Sequence, residues 1–153
     1  MSDGLLETWD TVLEEGSQRL VTDFATGNDR VRADPLRLTQ VVNNLMDNVV
    51  RHARGFTEIR IRTRLEEEGV RLTIQDDGSG IPQKDLPHIF QRFYRVDKGR
   101  SRESGGTGLG LSIVKHIIVQ HGGDVIARSR KGEGTAIDVI LPPADEQDDT
   151  PQS

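Results

Sequence analysis

Residues 34–55 read DPLRLTQVVNNLMDNVVRHARG. Asp34 suits an N-cap and Pro35 the first helical position, so a helix is predicted to begin here. Leu38, Val41, Val42, Leu45 and Val49 recur at helical spacing and form its buried face. The helix is expected to run to about Arg54, with Gly55 as its C-terminal stop. A polar stripe lies beside the apolar face. Asn44, Asn48 and Arg51 are spaced i, i+4, i+7 and share one side. Amide oxygens suit a hard cation such as Mg²⁺, and a guanidinium can grip a phosphate through two parallel bonds. Taken alone, the stripe equally suits a solvated helix face, because exposed Asn and Arg are common.

Upstream, residues 5–15 repeat Leu5, Leu6, Trp9, Val12 and Leu13 as an amphipathic helix that Gly16 stops. Residues 19–25 read as a short strand, Gly27-Asn28-Asp29 as a turn, and residues 31–33 as a second short strand. Downstream, 57–65 and 70–76 alternate. Ile59, Ile61 and Leu65 share one side of the first, and Val70, Leu72 and Ile74 one side of the second. Glu67-Glu68-Gly69 joins them as a hairpin. A polar helix is predicted at about 83–91, a basic loop at about 94–105, and an amphipathic helix at 108–121 bearing Leu109, Ile113, Ile117 and Val119. Strands at 124–129 and 135–141 close a last hairpin through residues 131–134. The layout is α+β: a two-layer sandwich in which a mixed, mostly antiparallel sheet of about five strands carries three main helices on one face.

Length and composition narrow the function. A chain of 153 residues is one domain long. Its apolar runs, such as Val139-Ile140-Leu141, are too short to span a bilayer. There is no cysteine, hence no disulfide and no thiolate chemistry, which fits a reducing, cytoplasmic setting. A formal charge of -5 and 4% aromatic residues argue against nucleic acid as the main partner. Residues 144–153 are acidic and lack apolar anchors, so they are expected to be a disordered tail.

The glycines concentrate in short clusters. In Asp76-Asp77-Gly78-Ser79-Gly80-Ile81-Pro82, Asp76 keeps the phase of Val70, Leu72 and Ile74 and should point into the apolar layer. A carboxylate there costs several kcal/mol unless donors meet it. The exocyclic amine of adenine is such a donor, and Gly78 and Gly80 would let the backbone approach a flat ring. A plain strand-ending turn with a capping Asp explains the same residues. The second cluster, Gly105-Gly106-Thr107-Gly108-Leu109-Gly110-Leu111-Ser112, precedes a helix, where free N–H groups suit phosphate. No Gly-Lys-Ser/Thr occurs in it, and a flexible joint reads equally well. Between the clusters, Phe90 and Phe93 would anchor a loop whose Arg95, Lys98, Arg100 and Arg102 could close over a polyphosphate, or simply be solvated.

Together and in this order, these parts resemble the ATP-binding catalytic domain of two-component sensor histidine kinases, within the gyrase, chaperone, histidine-kinase and mismatch-repair ATPase superfamily (the Bergerat fold). The resemblance covers about residues 20–143. Asn44 to His52 resembles the family's N box. It implies Asn48 as the Mg²⁺ ligand, Arg51 as a phosphate contact and His52 as a ring beside the adenine or ribose. Asp76 with Gly78, Gly80 and Ile81 resembles the first glycine box, with Asp76 reading adenine. Phe90 to Arg95, including Tyr94, resembles the F box, with Arg95 acting on the γ-phosphate. Gly106, Thr107, Gly108, Leu109, Gly110 and Leu111 resemble the second glycine box, and Gly132 to Thr135 a weaker one. Val49 and Ser79 depart from the usual Ala and Pro. The implied cofactors are ATP and Mg²⁺, and the catalytic residues Arg95 and Asn48.

In hydrolysing members of the superfamily a Glu precedes the Mg²⁺-binding Asn by four residues and activates water. Here that position is Asn44, an amide that cannot serve as a base. The site is thus expected to hold ATP for transfer. None of His52, His88, His116 and His121 stands in the family's acceptor setting. The resemblance therefore implies a catalytic domain, 19–143, led by an N-terminal helix (1–18) from an upstream region that carries the histidine-bearing dimerisation domain. Other implied partners are a response regulator, with no nucleic acid and no direct membrane contact. The domain itself is expected to be monomeric, and the full-length protein anchored in a bacterial inner membrane. An anti-sigma-type serine kinase is the alternative, and a stand-alone gyrase-type ATPase a further one that Asn44 argues against.

Overall fold

The stretches with helical spacing fold as α1 (Asp3–Glu15), α2 (Pro35–His52) and α3 (Gly110–Gln120). The alternating stretches fold as β1 (Arg19–Asp23), β2 (Glu58–Glu66), β3 (Gly69–Asp76), β4 (Asp124–Arg130) and β5 (Gly134–Leu141). This computed structural model describes residues 3–24, 35–67, 69–94 and 110–142. The strands form one sheet in the order β1-β2-β3-β5-β4. β1 pairs with β2 in parallel, and every other pair is antiparallel. The two-layer α+β expectation holds, with a mixed five-stranded sheet and three helices.

Strand pairing decides which side chains meet the helices. Ile61 lies opposite Ile74, which lies opposite Ile137, which lies opposite Ala127, so one apolar row crosses four strands. Leu13 of α1, Val41, Val42, Leu45, Met46 and Val49 of α2, and Val114, Ile117 and Ile118 of α3 close over that face. Each fully buried aliphatic side chain contributes roughly 1.5–3 kcal/mol, so this layer fixes α2 and the ends of β3 and β5 relative to one another.

Several expectations shift. β1 stops at Asp23, leaving Phe24 41% exposed, and the proposed strand at 31–33 lies outside the described residues. α2 ends at His52, two residues early, before Gly55 at φ 71°. Leu65 keeps the phase of Ile61 but is 45% exposed at the hairpin end. Val119 is exposed on α3, where Val114 and Ile118 are buried instead. The polar helix expected at 83–91 is only a 3-10 turn at Leu86–His88. Pro87 has no N–H to donate, and the segment advances by successive i to i+3 bonds, from Asp85 to Pro82, His88 to Asp85, and Gln91 to His88. Residues 144–153 lie outside the described set. Among the described residues no helix is long and apolar enough to cross a membrane.

The opposite face of the sheet holds a buried charge. Asp138 is 0% exposed. It accepts from the Thr73 hydroxyl at 2.7 Å, from Arg128 Nε at 2.8 Å and from Arg71 at 3.1 Å. Burial alone would raise its carboxyl, but the bonds from Arg128 and Thr73 and the charges of both arginines hold it below the ordinary 3.8. Its contribution to stability is therefore complete above the unfolded value and is lost as pH falls through the lower folded one. Asp138→Asn should cost about 2–3 kcal/mol in a urea titration at neutral pH, because two arginines lose a charged partner. The variant should also lose less stability than the wild type below about pH 4. Parallel pH profiles for the two proteins would contradict this account.

Candidate functional site

A cleft opens between α2 and the ends of β3 and β5, with about 440 Å³ of empty space partly open to solvent. Its apolar walls are Leu45 and Val49 of α2, Ile74 of β3, Ile137 of β5, and Ala53. The polar groups facing it are few: Asn48, His52, Asp76 and Thr135, with Gly80 and Ile81 at one end. Helix periodicity places Leu45, Asn48, Val49 and His52 on one side of α2, which explains how an apolar and a polar stripe come to share one opening.

Asp76 is the most buried ionisable group of the cleft lining. It is 6% exposed, ends the apolar face of β3 and, among the described residues, has no cation beside it. Burial raises its carboxyl above the ordinary value, against the pull of backbone N–H bonds from Gly78 and Thr135. The Gly78 N–H lies 2.8 Å from Oδ1. A further donor from a ligand would relieve this group. Asp77, next in sequence, points elsewhere. It accepts from Thr57 N–H at 2.7 Å, the Thr57 hydroxyl at 2.5 Å and Glu58 N–H at 3.1 Å. Against burial, these bonds hold its carboxyl low and tie down the start of β2.

The glycines of this corner are needed by the protein itself. Gly80 has φ +76°, and a Cβ there would lie 2.1 Å from the Arg130 carbonyl oxygen. Gly134 has φ +105°, and its Cβ would lie 2.1 Å from the Asp76 carbonyl oxygen. The β4–β5 turn thus presses backbone to backbone on the loop after β3, where Gly132 N–H meets Ser79 O at 2.6 Å. Gly78 is buried against Ala53 and Asp76.

The other expected site residues that are described stand outside the cleft lining. The Asn44 side-chain nitrogen is shielded from solvent and, among the described residues, has no hydrogen-bond partner. Arg51 directs Nε to Asp47 at 2.8 Å, one turn back on its own helix. Phe90 packs on the core beneath the Lys115 ammonium, whereas Phe93 is 62% exposed at φ 64°, with the Arg92 guanidinium 5.4 Å from its ring. The Tyr94 hydroxyl donates to the buried Asp85. Gly110 opens α3, and Leu111 packs on the core. Arg95, Gly106, Thr107, Gly108 and Leu109 lie outside the described residues. His116 is exposed, and His121 caps its own helix through Ile117 O at 2.7 Å.

Ala53, Ile74 and Ile137 line the cleft without having been singled out. The phase of β3 carried the signal for Ile74, and β5 supplies Ile137 as its register partner.

Residues 33–145 match the family described as histidine kinase-, DNA gyrase B- and HSP90-like ATPase. The chain is 44% identical over 121 residues to the sensor histidine kinase WalK of Bacillus subtilis (strain 168), covering 78% of this chain and 20% of WalK. The chain therefore spans about a fifth of that relative's length. Among solved structures, it resembles the mycobacterial sensor histidine kinase MprB, with TM-score 0.73 and 28% identity over 92% of this chain and 91% of that one. It also resembles the catalytic domain of histidine kinase ThkA, with TM-score 0.72 and 28% identity over 92% of this chain and 91% of that one.

A ligand that donates to Asp76 favours its ionised form, so proton and ligand compete for the carboxylate. Affinity for an adenine nucleotide should then fall as pH drops through the raised value of the free carboxyl. Asp76→Asn should weaken binding about tenfold or more, as expected when a charged acceptor is lost, and should remove that pH dependence. Calorimetric titration with an ATP analogue across pH 5–8 checks both. Unchanged affinity in the variant would take Asp76 out of base recognition.

Proposed function

Since the chain belongs to the histidine kinase-, gyrase B- and HSP90-like ATPase family, we propose that it binds Mg-ATP and donates the γ-phosphate to a histidine on a separate acceptor domain. The observation that carries this reading is the buried Asp76, with no cation beside it among the described residues, in an apolar cleft whose wall bears Asn48 and His52. Asp76 takes the exocyclic amine of adenine. Ile74, Ile81, Val49 and Ile137 enclose the ring, and His52 stands at the opening beside the sugar.

Magnesium fits this chain in the manner typical of the ion: few protein ligands, with substrate phosphates and water completing the shell. Asn48 offers its amide oxygen from the cleft wall. The orphaned Asn44 nitrogen, one turn earlier, suits a phosphate oxygen or an ordered water. When bound, the ion neutralises the negative charge of the phosphates. Arg95 adds a positive charge at the γ-phosphate. The residues of this chain contribute positioning and charge neutralisation, as phosphoryl transfer requires. In the reaction, an imidazole nitrogen of the acceptor forms a bond to the γ-phosphorus as the bridging P–O bond breaks and ADP departs.

This reading places the domain in the cytoplasmic part of a two-component kinase whose phosphohistidine supplies a response regulator. Supplying an acceptor domain with γ-labelled ATP should transfer label to its histidine. Arg95→Ala should leave nucleotide affinity within about threefold while slowing transfer at least tenfold, as loss of a transition-state contact does. Label appearing on serine, or no label despite bound ATP, would refute the histidine-kinase reading.

A further inference from the structure

We propose that Ser129 is a positioning residue for base recognition, because its hydroxyl fixes where the Thr135 hydroxyl sends its proton. The inference rests on the nucleotide reading above. Ser129 Oγ has three partners. It accepts from Ile81 N–H at 2.7 Å, lies 2.8 Å from the Gly134 carbonyl oxygen, and lies 2.9 Å from Thr135 Oγ1. Ile81 and Thr135 both line the cleft, and Ser129 stands behind them. The one hydroxyl thus joins the loop after β3 to the start of β5.

The proton order follows from counting. A hydroxyl carries one proton and two lone pairs. The Ile81 N–H can only donate, and the Gly134 carbonyl can only accept. One arrangement satisfies every group: Ser129 donates to Gly134 and accepts from both Ile81 and Thr135. The alternative, Ser129 donating to Thr135, takes this bond away from a carbonyl on the buried Gly134. The Thr135 proton is therefore directed away from the cleft, and its oxygen meets the ligand as an acceptor. Asp76 is the cross-strand partner of Thr135 and is an acceptor too. Two acceptors side by side select a ligand edge with two protons to give. An exocyclic amine has them. A 6-oxo purine sets a carbonyl lone pair against an oxygen lone pair, and the site rejects it.

Removing the Ser129 hydroxyl frees Thr135 to turn its proton toward a 6-oxo group. Titrations with Mg-ATP and Mg-ITP on the 153-residue chain test this. The wild type should favour ATP by about tenfold or more, in keeping with mismatched buried hydrogen bonds. Ser129→Ala should shrink that preference about fivefold, and Ser129→Thr, which keeps the hydroxyl, should retain it. An equal loss of affinity for both nucleotides in Ser129→Ala, with the ratio unchanged, would mean that Ser129 only braces the loop and would overturn the proposal. Should Ser129→Ala fail to fold, Thr135→Val removes the other hydroxyl with little change of shape and must shrink the ratio as well. An unchanged ratio there also overturns it. Wild-type protein that binds neither nucleotide would instead sink the nucleotide reading, a result distinct from any change in preference.

Discussion

Asp76 is a carboxylate at the end of a strand whose other inward side chains are Val70, Leu72 and Ile74. Burying such a group without a cation is costly, and the surrounding structure is organised around that cost. Gly78 and Thr135 aim backbone N–H groups at it. Gly134 gives up its side chain so that β5 can pass the Asp76 carbonyl. Gly80 does the same for the turn that leads into β5. Ser129 ties that turn to the loop after β3. The result is a buried acceptor met by two backbone N–H groups and, among the described residues, by no cation, a state better suited to a ligand than to stability.

The second buried aspartate shows what a structural solution looks like. Asp138 lies on the opposite face of the same sheet, on the strand adjacent to β3. It faces two arginines and a threonine, and its carboxyl is held low. Asp76 faces two N–H groups and, among the described residues, no cation, and its carboxyl is raised. Burial acts in the same direction on both, so the partners decide the outcome. A pairing that depresses the carboxyl serves the fold. A perturbation left uncompensated, in a cleft, marks a site.

Much of this was legible in the sequence because it rests on periodicity. The phase of β3 put Asp76 inside, and the 3.6-residue repeat of α2 set Asn48 and His52 beside Leu45 and Val49. The roles of the glycines were not legible in the same way. Gly80 looked like room for a flat ring, but its nearest obstacle is the Arg130 backbone, and Gly134 meets the Asp76 backbone in the same way, both brought there by pairing between distant strands. Tyr94 and Arg51 were likewise drawn toward a ligand by motif position. Each has a neighbour at short range, Asp85 and Asp47, that competes for its polar group. The 83–91 segment misled for a local reason, since polar composition suggests a helix but Pro87 interrupts the ladder of N–H donors.

The division of chemistry within the cleft follows from what its walls lack. Hydrolysis needs a base beside the terminal phosphate to activate water. Among the described residues lining the cleft, the ionisable side chains are Asp76 and His52. Asp76 sits among the apolar lining, and in the proposed pose a nucleotide whose base meets it extends its phosphates the other way. His52 lies one turn beyond Asn48, on the same side of α2, and Asn44 lies one turn before it. The helix thus presents, in order, an amide, an amide and an imidazole, with no carboxylate among them. A helix so built can align a polyphosphate through hydrogen bonds, but its amides cannot take a proton from water. In the proposed transfer, chemistry at the phosphorus depends on a nucleophile whose attacking atom bears no proton at neutral pH, and the unprotonated nitrogen of a neutral imidazole meets that requirement.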